Sequence, residues 1–576
     1  MDVLRLIKLI SIIGFLILTN PQVLPRIEQI GIQLGLAVYL LVWLITVVSI
    51  FFIAYSRNGS FKLLMTLFLV PASCLSAGYF AVTHQYMEIY EFEAMWNAAN
   101  NLNDALGAFS EIGWVFLAVS MGVIGIWLPF KSGAIPAQYG LSTTAVAIGI
   151  ISAILLQREG EGTKGMPVQM TPLAYTFLLA ADRLLHPKPS ELPALTTLPY
   201  GAAFQGDIVV IMDESVRGDF LDIGHPKGVQ SGLAELSNLA ENFGRAASAT
   251  NCSDTSNVSF RRIVHPTSYL DDIYQNPTIW QFAQAANYRT VYLDAQLTQG
   301  RLGNHMTSEE VSVIDTFIQI HEEGEPLFEK DNVLARRIHQ HLINDQQEFI
   351  LVNKMGVHFP YEGKYPKDHA VYLPVMEDHG FDRAYPEDHE LQHPTDPSRA
   401  QRIRFVNSYK NALAWNVSRF FKSLDLSSVS QPFLMFYTAD HGQTFHDDGR
   451  EGYGTHCSIA ITDPEEGIVP LVVLSNDEVV RQRYQQAAEL NFDHASHFNI
   501  APSILVEMGY KLDAIRPDYK TLFDPLEPHN QQFLSKYFVR FGAEPIWNGV
   551  DMKGRNSIDA WQSGITSQSV MSQRAM

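Results

Sequence analysis

Five apolar stretches crowd the first quarter of this 576-residue chain and constrain it more than any other feature. They run from Leu4 to Thr19, Gln33 to Ala54, Leu63 to Thr83, Gly113 to Phe130 and Thr143 to Leu156. A helix needs roughly 17–25 apolar residues to cross a bilayer, so a five-span membrane domain is expected over residues 1–157. The first stretch has the charged start of a signal peptide, but Asn20-Pro21-Gln22 after it lacks a small-residue cleavage pattern, and it is expected to be retained. Lys and Arg are kept on the cytoplasmic side. Arg5, Lys8, Arg57, Lys62 and Lys131 fall on one side of a five-span topology, while the loop after the third span carries Glu88, Glu91, Glu93, Asp104 and Glu111 with no Lys or Arg. Everything after Leu156 is therefore expected outside. Arg26, partly offset by Glu28, is the one charge on the wrong side.

The near-zero mean hydropathy is the sum of this apolar quarter and a polar remainder. The formal charge of −20 is spread through that remainder, which argues against nucleic acid as a partner. Three cysteines give neither a disulfide framework nor a Cys-based zinc motif, and leave room for one disulfide between Cys252 and Cys457. Residues 158–204 form a linker whose stretch Pro172 to Leu185 has the spacing of a helix lying at the membrane surface or packed on the soluble part. Residues 205–526 are expected to be the catalytic domain, and 527–576 a C-terminal extension and polar tail.

From Asp207 onward, short apolar runs alternate with helical stretches: Ile208 to Met212, Thr290 to Leu293, Phe349 to Asn353, Phe433 to Tyr437 and Leu471 to Leu474. That alternation implies an α/β domain with a mostly parallel central sheet covered on both faces. In such folds the site gathers at the carboxyl ends of the strands. Asp213, Glu214, Ser215 and Arg217 follow the first run, Lys354 and His358 the third, and Asp440 and His441 the fourth. A carboxylate from one strand end and an Asp-His pair from another supply oxygen and imidazole ligands suited to a divalent cation such as zinc or manganese. Any one of these residues in a chain of 19 histidines would read as a turn or surface residue; their joint placement is what signifies. The stretch from Ala249 to Asn257 is dense in hydroxyls, weak nucleophiles until a metal or a base stabilises the alkoxide. Equally, such residues favour polar loops and helix N-caps.

Taken in order, these motifs resemble the membrane-anchored phosphoethanolamine transferases, including the lipid A modifying enzymes, within the alkaline phosphatase/sulfatase superfamily. The strand ending in Met212 followed by Asp213-Glu214-Ser215-Val216-Arg217 is similar to the family's Gly-Glu-Ser-x-Arg, with Asp213 in place of Gly. Met355-Gly356-Val357-His358 resembles its Met-Gly-Ser-His, Tyr437 to Gly442 its Tyr-x-Ser-Asp-His-Gly, Gly454-Thr455-His456 its final histidine block, and Ser496 to Asn499 its Ser-His-Asp-Asn. The likeness runs from the spans to about Tyr510. It implies Glu214, Asp440 and His441 as zinc ligands, with manganese or magnesium as alternatives, and His358 and His456 as contacts to the transferred phosphoryl group, with Lys354 beside them. The family's Cys-Gly-Thr-x-Thr, counted from Cys252, points to Ser256 as nucleophile and fourth ligand, whereas the Thr-Ser-Asp pattern of related phosphoglycerol transferases points to Thr255. Threonine is the family's usual nucleophile, which favours Thr255 over Ser256. Ser259 to Arg262 stand where the family has Ser-Val-Pro-Cys, so its customary disulfides are absent. Met95-Trp96-Asn97 and Asn101 to Ala105 are similar to its lipid-contacting loop, which gives Asn97 and Asn101 as substrate contacts.

The resemblance implies a multi-pass protein of the bacterial inner membrane with its catalytic domain in the periplasm. The implied reaction moves phosphoethanolamine from phosphatidylethanolamine, through a covalent phospho-Thr enzyme, to an envelope glycolipid or glycan, foremost lipid A or the lipopolysaccharide core. A phosphoglycerol transferase would share metal site and anchor; a hydrolase would pass the group to water, although no Cys-x-Pro-x-Arg sulfatase signature is present. A non-enzymatic sensor would have lost Glu214, Asp440 or His441, and all three are present.

Overall fold

The computed structural model describes residues 3–83, 86–98, 113–130, 135–158, 160–185, 191–297, 300–320, 326–359, 361–376, 396–445, 455–457, 462–527, 531–536 and 545–550. Lys131, Asp104, Glu111, Asn101 and Gly454 lie outside these residues, as does the side chain of Asn97. The chain divides into two compact units, one on Met1–Lys188 and the other on Pro189–Asp378, Glu387–Tyr537 and Pro545–Met576.

In the first unit, three helices are long and apolar enough to cross a membrane: Leu34–Ala54, Gly59–Phe80 and Ala137–Gln157. The expected first span is instead a pair, Val3–Leu18 and Val23–Ile30, bent by 55°. The break falls at Asn20-Pro21, where proline cannot donate a backbone hydrogen bond. The expected fourth span appears as Gly113–Trp127, apolar but only 15 residues long. By length and composition the described residues give three spans, or four counting the bent pair, and the 15-residue Gly113–Trp127 is the expected span that falls short of that length.

Two lysines are buried here. Lys8 Nζ donates to the carbonyls of Gly125, Ile126 and Leu128 at 2.6, 3.2 and 3.0 Å, and Lys62 Nζ to Ile126 O at 2.9 Å. Both ammonium groups cap the carboxyl end of Gly113–Trp127, where carbonyls have no partner within the helix and the dipole is negative. Arg26, the charge that opposed the topology, donates to Lys164 O at 3.1 Å, beyond the helix Ala137–Gln157. The amphipathic stretch is the helix Thr171–Leu185, whose buried face carries Ala174, Tyr175, Leu178 and Leu179. It packs on neighbours in its own unit, with the Tyr175 hydroxyl bonded to Met87 O at 3.0 Å. Phe177, Leu184 and Leu185 remain exposed.

The second unit is an α/β domain around a seven-stranded sheet in the order β2-β7-β6-β1-β5-β3-β4. The strands are β1 (Asp207–Asp213), β2 (Ala240–Ala247), β3 (Arg289–Asp294), β4 (Thr316–Gln319), β5 (Glu348–Asn353), β6 (Phe433–Ala439) and β7 (Ile468–Ser475). All five runs read from the sequence are strands. β6, β1, β5, β3 and β4 are mutually parallel, while β7 runs antiparallel to both β6 and β2. β1 is buried at every residue, as a strand covered on both faces must be. Beyond the sheet, β8 (Gln532–Lys536) and β9 (Ile546–Gly549) form an antiparallel hairpin. The sequence reading had placed this segment in the C-terminal extension.

Candidate active site

β1 lies between β5 and β6, so residues that follow these three strands emerge side by side. Two antiparallel steps, β6 to β7 and β7 to β2, bring the carboxyl end of β2 to the same edge, and the hydroxyl-rich segment follows it directly.

Glu214, Asp440 and His441 each offer a ligand atom, all within 4.8 Å of one another, and all three residues are buried. His441 Nε2 lies 3.5 Å from Glu214 Oε1 and 3.7 Å from Asp440 Oδ2. Their backbone is tightly specified. Ser215, directly after Glu214, holds a φ of 62°, a conformation that side chains other than glycine rarely adopt. There its N–H donates to Asp440 Oδ1 at 2.9 Å and its hydroxyl to Glu214 Oε1 at 2.6 Å. Gly356 has a φ of 52°, and a Cβ there would sit 2.6 Å from Asp213 Oδ1 and from Glu214 O, so only glycine lets the loop bearing His358 close on β1.

The electrostatics call for a cation. Burial and the charge of Glu214 push the Asp440 carboxyl well above its usual range. Burial also opposes ionisation of Glu214, but the hydrogen bond with His441 and the charges of His358 and His441 hold it well below the ordinary value. Burial likewise disfavours the His441 imidazolium, yet Asp440 and Glu214 raise it to about 9. Asp440 Oδ2 is buried and meets no hydrogen-bond donor among the described residues. Two carboxylates, one imidazole and an orphaned oxygen aimed among them fit a divalent ion of the zinc class.

The hydroxyl facing this cluster is that of Ser253, which the sequence reading did not select. Ser253 Oγ lies 3.2 Å from Glu214 Oε1 and 3.1 Å from His441 Nε2. It is the first residue of the helix Ser253–Arg261, whose N-cap is Cys252, and it is half-buried. Thr255 and Ser256 are buried and turn away. Their hydroxyls bond Thr250 Oγ1 at 2.8 and 2.9 Å. For Thr255 the reason is helical geometry, since at roughly 100° per residue it faces about 200° around the axis from Ser253; Ser256, about 60° away on the same face, is instead tied down by its bonds to Thr250. Counting along a motif could not reveal this; the helix start could, since Cys252 is followed by Ser-Asp-Thr-Ser with no earlier helical residue.

Lys354, expected to touch substrate, is turned into the core. Its Nζ bonds Asp213 Oδ2 at 2.5 Å and Asn416 O at 2.8 Å, with Asp331 Oδ2 at 3.8 Å and the Phe420 ring centroid at 4.2 Å. Its donors are spent internally. His358 is exposed and His456 half-buried at the rim. The two rings meet edge to face with centroids 5.5 Å apart, and His456 stacks on His441 at 4.4 Å. Gln296, also missed, donates to Glu214 Oε2 at 2.8 Å and Lys354 O at 2.9 Å, from the loop after β3. Cys252 and Cys457 form a disulfide.

A model of the sulfatase family matches residues 207–510. The phosphoethanolamine transferase EptA of Helicobacter pylori (strain ATCC 700392 / 26695) is 24% identical over 422 residues, which span 70% of this chain and 75% of that protein. Among solved structures, the integral membrane lipooligosaccharide phosphoethanolamine transferase A (EptA) of Neisseria meningitidis matches with a TM-score of 0.62 at 15% identity, covering 88% of this chain and 95% of that one. The fold is thus shared across apolar helices and soluble domain alike. With a cluster able to hold a metal ion and a hydroxyl gathered at the strand ends of residues 207–510, the chain belongs to the sulfatase family of the alkaline phosphatase/sulfatase superfamily, where it is similar to the phosphoethanolamine transferases.

Proposed function

We propose that this protein transfers phosphoethanolamine from phosphatidylethanolamine to an envelope glycolipid or glycan, foremost lipid A or the lipopolysaccharide core, with Ser253 as the nucleophile. The observation that carries the reading is the Ser253 hydroxyl, half-exposed and within hydrogen-bond distance of both Glu214 and His441. Five spans in the inner membrane and a periplasmic catalytic domain over 205–526 complete the proposal. Lys8 and Lys62, both expected on the cytoplasmic side, reach the same helix end, which supports that topology. An anchored catalyst meets its diacyl donor by lateral diffusion.

A zinc ion held by Glu214, Asp440 and His441, with manganese or magnesium as alternatives, would lower the pKa of a bound hydroxyl and neutralise charge growing on phosphoryl oxygens. Ser253 Oγ, at a helix N-terminus where the dipole favours an anion, enters the cycle already deprotonated, its proton lost to solvent, and as the alkoxide it forms the new bond to phosphorus and is returned at the end. The bond from phosphorus to the glyceryl oxygen breaks, and diacylglycerol leaves with a proton supplied by His358 or His456. In the second step the acceptor hydroxyl gives its proton to the same imidazole and displaces Ser253 Oγ, which is restored. Desolvation lowers both imidazoles from their ordinary value, His456 well below it, so each releases its proton readily to the leaving oxygen, and the negative phosphoryl group would favour its return.

The test is to incubate the full-length protein with vesicles of labelled phosphatidylethanolamine and locate any adduct by mass spectrometry. Phosphoethanolamine on Ser253 is expected. An adduct on Thr255 or Ser256 would return the role to the residues that the motif count favours. An adduct from phosphatidylglycerol alone would replace the reading with phosphoglycerol transfer.

A further inference from the structure

We propose that the Cys252–Cys457 disulfide is a positioning device for catalysis, holding the His456 imidazole in its stack on His441, the same ring that the Ser253 hydroxyl contacts; this rests on the phosphotransfer reading above. The two cysteines are far apart in sequence, with a separation of 205, yet each is the immediate neighbour of a residue at the reacting centre. Cys252 caps the helix that begins with Ser253. Cys457 follows His456, whose ring is stacked on His441 and set edge to face against His358.

Among the described residues, few other contacts hold the segment that carries His456 to the rest of the domain. Between His441 and Pro464 the described residues contain no helix or strand. The described fasteners are the Thr444 N–H to Thr455 O at 2.7 Å, the Cys457 N–H to Asn251 O at 2.9 Å, the Thr444 hydroxyl to the Asp463 carboxylate, and a bond between the Thr455 hydroxyl and His456 Nδ1 at 2.9 Å, which ties the ring only to its own chain neighbour. Thr455 and Cys457 are both half-buried, so backbone bonds there exchange readily with water. The disulfide is the covalent link among these fasteners. Cys457 also holds a φ of 58°, a conformation unfavourable for a residue with a Cβ and maintained only where surroundings over-determine it. With the bond cut, Cys457 is free to relax, and His456 moves with it. Since misplacing a catalytic group by about 1 Å costs on the order of 100-fold, such a shift reads out in rate.

Dithiothreitol delivers two electrons and two protons, leaving thiols on Cys252 and Cys457 and the reagent as a cyclic disulfide. Full-length folded protein in phosphatidylethanolamine vesicles is compared before and after reduction, and after reoxidation. The readout is the single-turnover rate of adduct formation on Ser253, with thermal unfolding and bound-metal content measured alongside. Reduction is expected to slow adduct formation about 10- to 100-fold while apparent donor affinity changes little, and reoxidation to restore it. In a His456→Ala background, reduction should add little further loss, because the bond acts through that ring. The Cys252→Ser/Cys457→Ser double variant should match the reduced enzyme.

An unchanged rate on reduction overturns the proposal. So does a loss that multiplies independently with His456→Ala, or one accompanied by unfolding or metal release, each of which makes the bond a stability element instead. Absence of any adduct in the oxidised protein overturns the phosphotransfer reading, and this inference with it.

Discussion

Asp213 stands where related motifs carry glycine, and the side chain it adds has to be accommodated in a fully buried place. Lys354 Nζ at 2.5 Å and the Tyr437 hydroxyl at 3.0 Å do so. Even so, burial, only partly countered by the charge of Lys354, raises the Asp213 carboxyl to about 6. Lys354→Met is therefore expected to lower unfolding free energy by about 3–5 kcal/mol, because it strands a buried charge. Adding Asp213→Asn should recover part of that loss, and chemical denaturation of the soluble unit measures both. This pairing also explains why Lys354 misled: at a strand end among catalytic residues its type suggested phosphate, and only the partner across the sheet reveals the other use. For the nucleophile, Ser253→Ala is expected to reduce adduct formation at least about 1,000-fold, whereas Ser256→Ala should retain most of the activity, since among the described residues its hydroxyl bonds to Thr250. Equal losses from both substitutions would remove Ser253 from the role.

Among the elements, continuous apolar runs were legible because strands buried on both faces leave no room for polar alternation. β2 was not. Its sequence, Ala-Glu-Asn-Phe-Gly-Arg-Ala-Ala, has no β-branched residue, and the pairing with β7 slips between Asn242 and Arg245, around Gly244 at a φ of 76°. Missing β2 hid the fact that the hydroxyl segment also follows a strand end. The hairpin was missed for a different reason: its worth lies in distant partners. Leu534 donates its N–H to Ala249 O at 3.0 Å and accepts from Asn251 N at 3.1 Å, so β8 extends along the approach to Ser253. Phe533 is buried against Ala247, Ile468 and Val550, and Gly467 leaves the space for its ring. Phe533→Ala should cost about 3–5 kcal/mol by denaturation and also slow adduct formation. A variant that loses stability while reacting at the normal rate would show that the hairpin does not set the position of Ser253.

Over the whole molecule, the sheet order is what converts five separated segments into one site, and the membrane helices show the limit of reading by composition. An apolar run fixes that a helix is buried in something apolar, but not where it bends or ends. The metal-ligand cluster makes a prediction at this scale too. In the metal-free protein Asp440, with its carboxyl raised by burial and Glu214, and His441, raised to about 9, both retain protons that a bound cation must displace. Folding without metal therefore loses the His441 proton-linked contribution as pH rises through about 9, while metal-linked stabilisation grows. Zinc at a thousandfold excess over its dissociation constant adds about 4 kcal/mol. The Tm difference between zinc-loaded and chelated protein should be larger at about pH 8 than at about pH 5.5, and a pH-independent difference would place the ion elsewhere. The hairpin carries one more consequence, in the order of biosynthesis. Glu214 and Ser253 leave the ribosome long before Leu534, yet the loop before Ser253 takes its backbone partners from Leu534. Until that late strand arrives, the Ala249 carbonyl and the Asn251 N–H lack the partners it brings, so the finished reaction centre is a property of the completed chain.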